Sequence, residues 1–290
     1  MSAAPSASSA VRERRFAQVD VFTDQPMRGN PLAVVVDAEG LDDATMAAFA
    51  RWTQLSETTF LLPPTDPAAD YRVRIFTPGG ELPFAGHPTL GSARVWLDHG
   101  GRPRRAGEVV QQCGVGLVPL RHDAEAGGLA FQAPPMRRRA VEADLLAAVC
   151  AALGLAADEV LAAQWLDNGP DWLTLRLPSA ERVLAVQPDQ AALKSLAKVG
   201  LVGSYATGGV ADVELRAFAA PLGVAEDPVT GSLNASVAQW LMDEGVLPER
   251  YVASQGRAMG RAGRITLARD ADGLWVGGDV APCIAGRVRL

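Results

Sequence analysis

Residues 16–22 and 71–76 alternate apolar and polar side chains, with Arg72 and Arg74 on the outer side of the second run, and so predict half-buried strands. Further strands are expected at 32–36, 58–62, 109–120, 128–132, 172–177, 212–217, 264–268, 274–277 and 284–290. Helical periodicity begins after Asp42 or Asp43, which can cap a helix ending near Trp52 with Met46, Phe49 and Ala50 inside. Helices are also expected at 88–98, 142–153, 189–199 and 228–244, the first stopped by Gly100-Gly101-Arg102-Pro103. The order of elements lacks the βαβ cadence of a doubly wound sheet. It favours an α+β fold of two pseudo-symmetric lobes, each a curved mixed sheet wrapped around one central helix. The expected boundaries are a frayed tail over 1–14, an N-terminal lobe over 15–132 completed by a returning strand at 280–290, and a C-terminal lobe over 133–279.

One phrase occurs twice. Ala85-Gly86-His87-Pro88-Thr89-Leu90-Gly91-Ser92 is echoed by Glu226-Asp227-Pro228-Val229-Thr230-Gly231-Ser232, and Gly29-Asn30-Pro31 by Asn168-Gly169-Pro170, at nearly equal intervals. Self-similarity at a fixed offset signals duplication, here of two copies. Proline suits the first position of a helix, so each phrase reads as a helix N-terminus with His87 or Asp227 as its cap. Two such N-termini facing each other would converge on one anion.

Composition narrows the possibilities. A net charge of −6, 48% hydrophobic and 21% charged residues describe an ordinary globular chain with no basic footprint for nucleic acid. No apolar run reaches the roughly 18 residues of a membrane span, and the Ala/Ser-rich start has the wrong order for a secretory signal, so a cytoplasmic protein is expected. Cys113, Cys150 and Cys283 are widely spaced and read as buried thiols. The three histidines, His87, His99 and His122, have no metal-ligand spacing. Lys194 and Lys198, on an expected surface helix, are poor Schiff-base candidates, and no dinucleotide fingerprint is present, so no metal or organic cofactor is expected. Arg137-Arg138-Arg139 reads as a solvated turn.

From local sequence alone, Glu57 is either a solvated loop carboxylate or one half-buried at an element boundary, where desolvation would raise its pKa. His87 and Asp227 are either plain caps or the partners of an acid/base pair. Gly86, Gly91 and Gly231 mark either tight packing or a ligand close to backbone.

The strings Gly29-Asn30-Pro31-Leu32-Ala33-Val34-Val35, Leu55-Ser56-Glu57-Thr58-Thr59-Phe60, Phe84-Ala85-Gly86-His87-Pro88-Thr89-Leu90-Gly91, Glu226-Asp227-Pro228-Val229-Thr230-Gly231-Ser232, Gln255-Gly256 and Met259-Gly260-Arg261 follow one another in order. On these the chain resembles the PhzF-like family, named for an isomerase of phenazine biosynthesis, and through it the diaminopimelate epimerase fold. The resemblance implies a cofactor-independent isomerase or epimerase, often a homodimer, that moves a proton on a small carboxylate-bearing metabolite bound between the lobes. It implies Glu57 as general acid/base with His87 and Asp227 assisting, and Asn30, Gly86, Gly231 and Ser232 in substrate binding. Related racemases carry a cysteine near each central helix; Ala85 and Asp227 stand in those regions, against a two-thiol mechanism. Two alternatives are a serine-type hydrolase using Ser232 with His87 and Asp227, and a non-catalytic metabolite-binding protein of the same fold.

Overall fold

A computed structural model describes residues 11–123 and 128–290. The first half of the chain contributes β1 (Glu13–Val21), β2 (Asn30–Val35), α1 (Asp43–Thr53), β3 (Thr58–Leu62), β4 (Tyr71–Thr77), β5 (Gly80–Leu82), α2 (Gly86–Asp98), β6 (Glu108–Cys113), β7 (Gly116–His122) and β8 (Leu129–Gln132). The second contributes β9 (Arg137–Arg139), α3 (Ala143–Leu153), β10 (Ala162–Asp167), β11 (Asp171–Arg176), α4 (Ala180–Ala185), α5 (Gln190–Leu193), β12 (Val199–Ser204), β13 (Val213–Ala219), β14 (Val224–Asp227), α6 (Gly231–Asp243), β15 (Arg250–Gln255), β16 (Gly263–Asp270) and β17 (Gly273–Gly278), before β18 (Val280–Arg289).

The strand pairings repeat. In the first half β2 runs parallel to β3, β3 antiparallel to β4, and β4 pairs with β5 and, across the α2 crossover, in parallel with β6. In the second, β11 is parallel to β12, β12 antiparallel to β13, and β13 pairs with β14 and, across α6, in parallel with β15. A meander completes each copy: β6, β7 and β8 in one, β15, β16 and β17 in the other. The copies join where β17 pairs antiparallel with β8, and β18 returns to pair along β1. The fold is α+β, one continuous curved sheet whose two halves each wrap around a crossover helix.

Those crossover helices are buried on nearly every side, which explains their small and apolar composition. Helix α2 touches β1 to β4, β6, β8 and β18, and α6 touches β10, β16, β17 and α2. Gly91 is a packing residue, since a Cβ there would lie 2.6 Å from Leu32 Cδ2. The remaining helices lie on the outer faces. Helix α1 packs Met46, Phe49 and Ala50 against Val35, Phe60 and Phe76, and Asp42 Oδ1 accepts from Thr45 N at its start. Helices α3 to α5 set Val149, Leu153, Val183 and Leu193 on Leu173, Leu175, Leu201 and Phe218.

The expected tail over 1–14 lies mostly outside the described residues, but Glu13 and Arg14 are part of β1. Arg14 is buried and donates to the Asp37 and Glu39 carbonyls, which ties the chain down earlier than its composition suggests. The single strand expected over 109–120 is the hairpin of β6 and β7, because the chain turns at residues 114–115 and Gly116, at φ +102°, starts the returning strand opposite Cys113. Arg137-Arg138-Arg139 forms β9, an exposed edge strand paired with β10, with Arg139 stacked over Trp165. The helix expected over 189–199 is only α5, since Val199 begins β12 and pairs with Leu173 and Phe218. Lys198 therefore leaves the helix; it pairs with Asp171 at 3.2 Å over the Trp172 ring. Of the three thiols, only Cys150 is buried; Cys113 is half-buried and Cys283 exposed. No helix among the described residues is long and apolar enough to cross a membrane.

Candidate functional site

The two crossover helices begin against each other. Helix α2 starts at Gly86 after the extended residue Ala85, and α6 starts at Gly231 after Thr230; neither preceding side chain makes a capping hydrogen bond. A Cβ on Gly86 would lie 3.6 Å from Gly231 Cα, and the reverse distance is the same. The first-turn N–H groups of both helices have no intrahelical partner and carry the positive ends of the two dipoles. The convergence expected from sequence is present, but its register differs. His87 is the second residue of α2 and Pro88 the third, whereas Asp227 ends β14 and Pro228 precedes α6 altogether. Neither His87 nor Asp227 is a cap.

Glu57, His87 and Asp227 are brought together here. Glu57 stands immediately before β3, and its Oε2 lies 3.4 Å from His87 Nε2, with the two side chains 15% and 8% exposed. Neither atom has a hydrogen-bond partner among the described residues. Burial pushes the His87 pKa down to about 4 against the pull of Asp227 and Asp20, so the imidazole is neutral near pH 7. Burial also raises the Glu57 carboxyl above its ordinary value. Asp227 is raised to about 6, first by burial, with the Glu57 charge adding and Thr230, His87 and Asn30 opposing. A neutral imidazole beside carboxyls that hold their protons more tightly than usual is suited to proton transfer near neutrality.

The expected binding residues divide. Asn30, at the start of β2, reaches into the second half of the chain: its Nδ2 donates to Asp227 Oδ1 at 3.0 Å and to Val229 O at 2.8 Å. Its nitrogen is thus occupied by protein, and the buried Oδ1 has no partner among the described residues. Gly86 is crowded by Phe131, whose Cζ would lie 2.7 Å from a Cβ, while Gly231 meets only ordinary contacts at 3.6 Å. Ser232 Oγ accepts from Trp172 Nε1 at 3.2 Å, and the Ser232 carbonyl accepts from Asn168 Nδ2 at 2.9 Å. An indole N–H only donates, so the Ser232 hydroxyl keeps its own proton to offer elsewhere. The partner of Ser232 Oγ is therefore an indole, where a hydrolytic serine would need a base.

Four residues join the site that sequence reasoning did not single out: Thr230, Gln255, Trp172 and Asn168. Thr230 Oγ1 donates to Asp227 Oδ2 at 2.6 Å, and Gln255 supports both. Thr230 and Gln255 lay inside quoted strings, and Asn168 inside the repeated Asn-Gly-Pro, yet nothing local distinguished their side chains. Gly256, after Gln255, has φ +90° and would set a Cβ 2.7 Å from the Pro228 carbonyl, so only glycine fits there. Among the described residues no cluster of His, Cys, Asp and Glu is arranged to hold a metal ion.

The sequence model of a family described as PhzC-PhzF, phenazine biosynthesis-like protein, matches residues 19–276. A curated relative named antisense-enhancing sequence 1, from Schizosaccharomyces pombe, is 35% identical over 95% of this chain and 98% of its own. Trans-2,3-dihydro-3-hydroxyanthranilate isomerase of Pseudomonas aeruginosa is 32% identical over 95% of this chain and 99% of its own. Among solved structures, a predicted epimerase from Pseudomonas aeruginosa superimposes with a TM-score of 0.77 at 34% identity, covering 96% of this chain and 99% of the other. A hydroxyproline epimerase from Agrobacterium vitis, bound to trans-4-hydroxy-L-proline, shares the fold with a TM-score of 0.63 at 14% identity, covering 96% and 93%.

Proposed function

Because this chain belongs to the PhzC-PhzF family of phenazine biosynthesis-like proteins and is an isomerase, we propose that it moves a proton on a small carboxylate-bearing metabolite, with Glu57 as general acid/base in a cleft between the lobes. The substrate carboxylate lies against the N–H groups that open α2 and α6, with the Ser232 hydroxyl as a further donor. Glu57, as carboxylate, takes a proton from carbon. The electron pair left behind spreads toward the substrate carboxylate, where the two helix N-termini stabilise the added charge. The protonated Glu57 then returns the proton at a second position, and the neutral His87 imidazole relays it or polarises the adjoining group. Asp227 accepts a hydrogen bond from a substrate N–H or O–H. No step in this scheme requires a cofactor.

The observation that carries the reading is the Glu57–His87 pair: two buried, mutually close atoms without hydrogen-bond partners among the described residues, set beside two converging helix N-termini. The test is proton exchange. A panel of cyclic and amino carboxylates, including trans-2,3-dihydro-3-hydroxyanthranilate, the compound in a relative's name, is incubated with the protein in deuterated water and followed by NMR. Deuterium should enter at carbon, or a rearranged isomer should accumulate, with at least one member. Exchange that persists undiminished in Glu57→Gln would remove Glu57 from the role.

A further inference from the structure

Asp227 is held by a chain of hydrogen bonds whose directions are all determined. Gln255, wholly buried on β15, makes four of them. Its Oε1 accepts from Thr230 N at 3.0 Å and from Asn234 Nδ2 at 2.8 Å. Its Nε2 donates to the Asp227 carbonyl at 3.0 Å and to Thr230 Oγ1 at 2.9 Å. A backbone N–H can only donate and a backbone carbonyl only accept, so the amide cannot be turned over.

That orientation decides where the Thr230 proton goes. A hydroxyl has one proton; with Gln255 donating into a lone pair of Oγ1, that proton is left for Asp227 Oδ2, 2.6 Å away. Asn30 is determined in the same way, because its Nδ2 also faces the Val229 carbonyl, and it donates to Asp227 Oδ1. Both carboxylate oxygens therefore receive protons from groups that cannot accept one from Asp227 without the network turning over. We infer that Thr230, oriented by Gln255, is a positioning residue that holds Asp227 ionised inside the site.

The need for such a device is plain from what surrounds the carboxylate. Glu57, before β3, repels its charge, and His87 of α2 is neutral near pH 7, while β2 and β15 present the uncharged Asn30 and Gln255. Burial is the largest effect against the charge, ahead of the repulsion from Glu57. Against these, the Thr230 hydroxyl is the largest favourable contribution, since a hydrogen bond to the charged form lowers a carboxyl pKa. An ionised Asp227 keeps lone pairs free to accept from a bound ligand; a protonated one would offer a donor in its place.

The inference does not depend on the proposed reaction, and its test needs no substrate. Carboxyl-13C aspartate labelling follows the titration, with Asp227→Asn assigning the signal. The wild-type midpoint should fall near pH 6. Thr230→Val, close in shape but without the hydroxyl, should raise it by about one pH unit or more, and Thr230→Ser should return it to the wild-type value. An unchanged midpoint in folded Thr230→Val, or no recovery in Thr230→Ser, overturns the inference. If the valine variant does not fold, the wild-type protein still decides: the Thr230 hydroxyl proton should be protected from solvent and shift with the midpoint of the Asp227 carboxyl carbon. A hydroxyl resonance blind to that titration overturns it equally.

Discussion

Gly86 and Gly231 are the first residues of the two crossover helices, and a Cβ built on either would lie 3.6 Å from the Cα of the other. This approach brings the positive ends of two helix dipoles together. The crowding is unequal, and that inequality is measurable. Gly86→Ala would drive a Cβ to 2.7 Å from the ring of Phe131, itself only 1% exposed, so an overpacking loss of about 1–3 kcal/mol is expected in urea denaturation. Gly231→Ala meets nothing closer than 3.6 Å and should cost less than about 1 kcal/mol. Equal losses for the two variants would show that Phe131 does not set the spacing.

Glu57→Gln should slow carbon–deuterium exchange by about 10²–10⁴-fold if this carboxylate carries the proton. Stability should move the other way. Burial raises the Glu57 pKa, so its ionisation weakens the folded state as pH rises above the unfolded value. The neutral isostere should therefore melt higher than wild type at pH 8, with the gain fading toward pH 4. Melting curves at the two pH values check this without any substrate.

His87 and Asp227 should oppose each other in the pH dependence of stability. The His87 pKa is depressed to about 4, so between its unfolded value of 6.5 and 4 the unfolded chain binds the extra proton and stability is lost as pH falls. The Asp227 pKa is raised from 3.8 to about 6, so in nearly the same window the folded chain binds the extra proton and stability is lost as pH rises. Removing either group should expose the other. Asp227→Asn should make the unfolding free energy measured in urea fall on acidification from pH 6.5 to 4, and His87→Gln should make it fall on going from pH 4 to 6, each by at most about 1.4 kcal/mol per pH unit. Parallel profiles in the two variants would contradict the assignment.

Arg216 and Glu226 form a two-pronged ion pair at 2.8 and 3.0 Å, with side chains 5% and 11% exposed, and Arg216 also donates to the Val183 and Val186 carbonyls at the end of α4. Glu226→Gln leaves the guanidinium buried without its counter-charge and should cost about 3–5 kcal/mol. The double variant Arg216→Met with Glu226→Gln should recover part of that loss. A single variant as stable as wild type would mean that water reaches Arg216.

Local sequence determined the elements whose signals are local. Of the two candidate caps, Asp42 and Asp43, Asp42 caps α1, and β3 spans 58–62 as its run of β-branched and apolar residues indicated. The strings around Asn30, Glu57, His87, Asp227 and Gln255 were sufficient to identify the family, because each string sits where strands and helix starts meet. The register of the helix starts was decided elsewhere. A cap is worth about 1 kcal/mol, whereas enclosing α2 and α6 within curved sheets buries side chains worth about 1.5–3 kcal/mol each, so packing sets where the helices begin and leaves His87 inside one and Asp227 outside the other. Strands β10 and β12 were missed although they pair antiparallel with the strands that follow them, β11 and β13, because their residues show little pattern of their own. The same holds for the clamp on Asp227. The Asn30 bond exists only because the two halves of the chain close on each other, and the Gln255 bonds only because β15 returns beside the start of α6, while Thr230 reaches Asp227 from three residues away. Residue identity supplied the donors and acceptors, while their directions required the tertiary structure, since a hydrogen bond depends on angle and on distance to within a few tenths of an ångström.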